Sequence, residues 1–144
     1  MRTIAIELTD YRIHEVNTHW WKQILSLFLK PGRAFEIRHW RAEKDIVEKA
    51  CAYGTISERD STDFEVSIKG VLTDAIIQEI LHADASCPDE QITEFFTINV
   101  AGEISSSHYG RELYVSHPTK EVCDQLSAIL TPVQEYFTIS EYGE

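Results

Sequence analysis

Apolar residues recur at helical spacing along Asn17–Lys30, where Trp21, Ile24, Leu25 and Phe28 form a stripe that Trp20 and Leu27 widen. From Trp20 onward only Lys22, Gln23, Ser26 and Lys30 are polar, which predicts a mostly buried helix. Asn17 or Thr18 can cap its start through a side-chain oxygen, and Pro31-Gly32 ends it because a residue before proline avoids helical dihedrals. Three further stripes predict helices: Ile46, Val47, Ala50 and Cys51 within Ala42–Tyr53; Ile76, Ile77, Ile80 and Leu81 behind a Thr73 cap; and Val122, Cys123, Leu126, Ile129 and Leu130 between Pro118-Thr119 and Pro132.

Between the helices the period drops to two. Thr3–Leu8, Ala34–Trp40 and Asp63–Lys69 alternate, with Ile4, Ile6 and Leu8, then Phe35, Ile37 and His39, then Phe64, Val66 and Ile68 on one side of each. Ile92–Val100 places Phe96, Ile98 and Val100 one way and Phe95, Thr97 and Asn99 the other; Ile104–Ser107, Glu112–Val115 and Tyr136–Ile139 complete the strands. Thr55–Thr62 reads as a polar turn and Ala101-Gly102-Glu103 as a hairpin turn. Half-apolar strands need cover on one face only. The pattern therefore predicts an α+β fold: a mainly antiparallel sheet of about six strands with about four helices packed on one face, in a single domain over residues 1–144.

A chain of 144 residues, 43% hydrophobic, can bury a core without a metal or disulfide. Cys51, Cys87 and Cys123 are odd in number, widely spaced and free of any C-x-x-C pair, which points away from a disulfide framework and a zinc ribbon. No apolar leader with a cleavage site opens the sequence, and no run reaches the roughly 18 apolar residues of a membrane span. The expectation is a cytoplasmic protein with no cofactor and no membrane partner. Charge sharpens this picture. Residues 1–49 carry nine Lys/Arg against seven Asp/Glu and residues 50–144 four against seventeen, so +2 and −13 sum to the net −11. Such a field repels nucleic acid and anionic lipid and speeds encounter with a basic partner.

Chemistry concentrates in Ser105–Glu112, which gathers hydroxyls, an imidazole, a phenol, a guanidinium and a carboxylate around Gly110. His108, Tyr109, Arg111 and His117 are the catalytic candidates, although no G-x-S-x-G accompanies the serines. The six histidines form neither H-E-x-x-H nor H-x-H, so a metal site would need distant residues such as His39 and His117 to converge, and no metal is expected. Lys30, Arg33, Arg38 and Arg41 around Phe35 and Trp40 mix charge with aromatic surface as a nucleic-acid site does, but no nucleic-acid motif joins them.

Asp60, Asp63, Glu65, Asp89, Glu90 and Glu94 would form a negative edge if their loops meet, with Tyr53, Phe95 or Tyr109 as aromatic anchors. That combination suits a small inhibitor, of the immunity-protein or antitoxin kind, that sequesters a basic protein partner. The alternative is an enzyme or small-ligand-binding protein with its site on the 105–117 hairpin.

Overall fold

The computed structural model describes residues 2–9, 18–82 and 91–143. It contains strands β1 Arg2–Leu8, β2 Ala34–Trp40, β3 Thr55–Ile56, β4 Glu65–Val71, β5 Thr97–Val100, β6 Ile104–Ser107, β7 Glu112–Ser116 and β8 Phe137–Gly143. Helices α1 His19–Ser26, α2 Lys44–Cys51, α3 Asp74–His82 and α4 Lys120–Leu130 lie between them. The strands form one eight-stranded sheet in the order β3-β4-β2-β5-β6-β7-β1-β8, antiparallel at every junction. The fold is α+β, as the alternating strands imply.

Register carries one row of inward side chains across the whole sheet: Ile56, Ile68, Ile37, Ile98, Ser106, Leu113, Ile6 and Ile139. The five central members from Ile37 to Ile6, with Ile68, are at most 1% exposed, whereas Ile56 and Ile139 at the two ends are 37% and 48% exposed. Ser106 is the single polar side chain in this row. Trp21 on α1 meets it, its indole Nε1 donating to Ser106 Oγ at 3.0 Å. Trp20 beside it packs edge-on against Phe137 with ring centroids 4.6 Å apart. Trp20, Trp21, Ile24 and Leu25 thus seat α1 on the sheet, and Ile76, Ile77 and Ile80 of α3 and Leu126 and Leu130 of α4 join the same core.

The termini of the elements differ from the sequence pattern in three places. Helix α1 ends at Ser26, and Leu27 and Phe28 tighten into a turn whose N–H groups bond to Ile24 and Leu25 three residues back. Thr18 makes no side-chain capping bond, and Asn17 lies outside the described residues. The polar segment after α2 supplies a two-residue strand, β3, paired through Ile56 with Ile68. By contrast, Thr73 and Thr119 cap α3 and α4 as their positions suggest, accepting from Ile76 N–H at 3.5 Å and Val122 N–H at 3.2 Å.

Residues 92–96 are not a strand. Ile92, Thr93, Glu94 and Phe95 are all buried, and the N–H groups of Ile92 and Thr93 both bond to the Tyr109 carbonyl, at 2.8 and 3.0 Å. This irregular segment turns the alternation over before β5 begins.

Candidate functional site

The β6–β7 turn holds three successive residues in the left-handed region, His108 at φ 52°, Tyr109 at 58° and Gly110 at 88°. Each of the two non-glycine residues costs on the order of 1 kcal/mol there, so neighbouring contacts must hold them. The 92–96 segment supplies those contacts. Beyond the two bonds to its carbonyl, Tyr109 donates its own N–H to Phe96 O at 3.0 Å, and its phenol donates to Glu43 Oε1 at 2.5 Å. The Phe96 ring then lies 4.8 Å from Trp40, 5.7 Å from His108 and 5.1 Å from Tyr109.

The result is an aromatic end to the sheet, where the last residue of β2, the turn before β7 and the 92–96 segment converge. Trp40 is 36% exposed there, and Phe64, whose carbonyl accepts from Arg41 N–H at 2.8 Å, is 77% exposed. Of the anchors the sequence suggested, Phe95 is fully buried and Tyr53 packs partly against the core, so neither presents a free ring. Strand parity set Phe95 on the opposite side from Phe96, Ile98 and Val100; in the irregular 92–96 segment Phe95 is the fully buried ring and Phe96 is half-buried. Burial, then the hydrogen bond to Glu43 and its charge, push the Tyr109 phenol far above its ordinary value, against a smaller opposing bond from the Trp40 indole. Tyr109 therefore stays protonated as a donor.

His108, Arg111 and Glu112 border a polar cavity of about 230 Å³ with Glu7 and Leu8, and the His108 Nδ1 faces the Glu112 carboxylate. His117 belongs elsewhere. It follows β7 at the far end, six strand residues from Arg111 and so roughly 20 Å away, with its N–H on Arg2 O at 2.7 Å. The hairpin thus brings together three of the four candidates in sequence but sends Tyr109 toward Glu43, His108 toward Glu112, and His117 to the opposite end.

The acidic residues are also dispersed by their partners. Asp60 takes Lys69 Nζ at 2.5 Å and Ser57 Oγ at 2.9 Å, Glu65 holds Arg38, and the buried Glu94 takes Lys49 Nζ at 2.5 Å. Asp63 is exposed beside Phe64, and Asp89 and Glu90 lie outside the described residues. Hydrogen bonds from Lys69 and Ser57 lower the Asp60 carboxyl from 3.8 to about 2. A depressed carboxyl stabilises the fold above its unfolded pKa, and that contribution is lost as pH falls from 3.8 through about 2. Lys69→Met is expected to return Asp60 toward the ordinary carboxylate range, read by an NMR titration of its carboxyl carbon; an unmoved titration would remove Lys69 as the cause.

Three of the four cations of the basic cluster are engaged in the same way. Arg33 meets Glu103 at 3.1 Å, Arg38 bridges Glu36 and Glu65, and Arg41 donates to Thr62 O at 2.9 Å, while Phe35 is buried. Burial opposes ionisation of Glu36, but hydrogen bonds from Ser67, Asn99 and Arg38 outweigh it and hold its carboxyl below the usual value. On the inner face His39 is fully buried and donates Nε2–H to Glu94 O at 3.0 Å, leaving Nδ1 with no hydrogen-bond partner among the described residues. Among those residues no three His, Cys, Asp or Glu side chains converge as metal ligands, and no helix is long and apolar enough to cross a membrane.

No family model, curated protein or solved structure matches this chain. Its site is therefore read from its own geometry. The sequence reading missed the Trp40–Phe96–Tyr109–Glu43 constellation, and the signal that finds it is register: extending the pairings sets His39 level with Phe96, and Phe96 level with His108.

Proposed function

We propose that this chain is a binding protein that sequesters a basic protein partner, with the aromatic end of the sheet as its docking surface. The observation that carries this reading is the Trp40–Phe96–Tyr109 cluster at one end of the sheet, with Trp40 36% exposed in it and Phe64 77% exposed just before β4, on a chain of net charge −11. Aromatic side chains bury large area at small entropic cost, and the acidic field steers a cationic surface onto them. Tyr109 and Glu43 fix the rings beforehand, which lowers the cost of ordering on association. Masking a cationic active surface in this way is how an immunity protein or antitoxin acts.

The test is capture of basic proteins by the immobilised chain at low and high salt, with wild type and Phe64→Ser as competitors. Loss of a central aromatic anchor is expected to weaken competition by about 30-fold, equivalent to about 2 kcal/mol. Equal competition by both proteins would move the docking surface away from this end. A second reading has one observation in its favour, the cavity of about 230 Å³ at His108, Arg111, Glu112 and Glu7, which suits a small polar ligand or substrate. Under it, His108→Ala removes binding or turnover of that small molecule.

A further inference from the structure

The two edges of the sheet are finished differently. Beyond the short β3, the 57–62 segment covers β4: Ser57 N–H bonds to Ser67 O at 2.8 Å, Ser67 N–H to Ser61 Oγ at 2.9 Å, and Thr62 N–H to Glu65 O at 2.8 Å. No such cover lies along β8 among the described residues. Which of its backbone groups are open follows from register. Thr9 N–H bonds to Tyr136 O, and 9 pairs with 136 in the same register as Leu8 with Phe137, so Thr138, Ser140 and Tyr142 bond to β1. Leu8 N–H on Arg111 O and His117 N–H on Arg2 O confirm that β1 turns its even residues to β7 and its odd ones to β8. Ile139 and Glu141 therefore direct both N–H and C=O away from the sheet, as Gly143 directs its N–H, while Phe137 N–H is spent on Gln134 O.

Alongside this edge, on the helix face, runs an apolar groove of about 240 Å³ between α4 and the sheet, lined by Ile4, Ile6, Leu126 and Leu130 with Ile139 and Glu141 on its β8 side. Ile139 is the more exposed of the two ends of the core row. We infer that the β8 edge and this groove form a strand-addition site for an extended segment of a partner protein, with a large apolar side chain opposite Ile139 and a Lys or Arg two positions away opposite Glu141. Bare main-chain groups supply affinity in such a site, and the pocket for alternate side chains supplies selectivity.

Charge selects the occupant. Residues 112–143 carry five acids, Glu112, Glu121, Asp124, Glu135 and Glu141, against Lys120 alone, and Lys120 is paired with Asp124 at 3.0 Å. Arg2 also lines the groove, 3.6 Å from Glu141 and donating to Cys123 Sγ at 3.0 Å, and leaves the Glu141 side chain 57% exposed toward the open edge. A second copy of the chain fits poorly, because its β8, Phe137–Gly143, offers no cation at any position and both copies carry −11. The site is at the far edge of the sheet from the aromatic end and does not depend on it.

The probe is the acetylated, amidated peptide Thr-Lys-Thr-Leu-Thr-Lys-Thr, added to the isotopically labelled full chain. At saturation, amide hydrogen exchange at Ile139 and Glu141 is expected to slow at least about tenfold while Thr138 and Ser140, already bonded to β1, stay unchanged. Glu141→Pro removes a donor that faces away from β1, and Ser127→Phe fills the groove from an exposed position on α4; each is expected to weaken the peptide at least about tenfold. Ser127→Phe decides the matter if the proline variant does not fold. Absence of peptide binding, binding without protection at Ile139 and Glu141, retention of binding in Ser127→Phe, or equal binding of the peptide with Glu in place of Lys would overturn the inference. So would protection of the same amides by self-association of the chain alone.

Discussion

Gly110→Ala is expected to lower the stability of the fold by about 2–5 kcal/mol, read as a fall in the urea midpoint at unchanged slope. Two effects add. At φ 88° any side chain but glycine's strains the backbone, and the new Cβ would stand 2.9 Å from Ile92 Cβ and 3.0 Å from Trp21 Nε1. Neither neighbour can give way cheaply. Ile92 Cβ is a branch point next to a backbone whose N–H is fixed on Tyr109 O, and the Trp21 indole is held by Ser106. The substitution is therefore expected to disturb the turn and the α1 contact together, and a variant with the wild-type midpoint would show that the turn relaxes freely.

Trp21→Ala is the other large effect, at about 3–5 kcal/mol for the cavity plus about 1–3 for a Ser106 hydroxyl left without a partner. The polar part can be isolated. Trp21→Phe keeps most of the buried ring but strands Ser106 in the central row, where it is fully buried between Ile98 and Leu113. That variant is expected to lose about 1–3 kcal/mol, and adding Ser106→Ala is expected to recover much of it, since removing both partners of a buried hydrogen bond costs far less than removing one. If the double variant were no more stable than Trp21→Phe alone, the indole bond would not be what stabilises Ser106.

Period and punctuation made most of the fold legible. Trp21 and Leu25, Ile76 and Ile80, and Leu126 and Leu130 fall at helical spacing and are all buried, and the alternation of β2 marks its inward face, whereas Ala5 of β1 and Ser67 of β4 are fully buried on the side the pattern left to solvent and Phe64 is exposed. Where the reading slipped, burial on every side had erased the period. Ile92 to Phe95 are wholly buried, so their apolar spacing says nothing about direction, and two-residue β3 is too short to show a period at all. The site was less legible than the fold. Asp60, Glu65 and Glu94 are acidic in sequence, yet each is matched by a cation 9, 27 or 45 residues away. Tyr109 and Glu43 meet across 66 residues, a contact that only sheet register supplies.

The place of β1 sets a limit on how this chain can fold as it is made. Its two neighbours are β7 and β8, with Thr3 opposite Ser116 and Arg2 opposite Gly143, so nothing near it in sequence can pair with it. At about 5–20 residues per second, the ribosome needs roughly 5–20 s to synthesise the stretch between β1 and β7. Throughout that interval Ile4, Ile6 and Leu8 are without strand partners, which makes the nascent chain slow to close and open to capture by chaperones or by other unfinished chains.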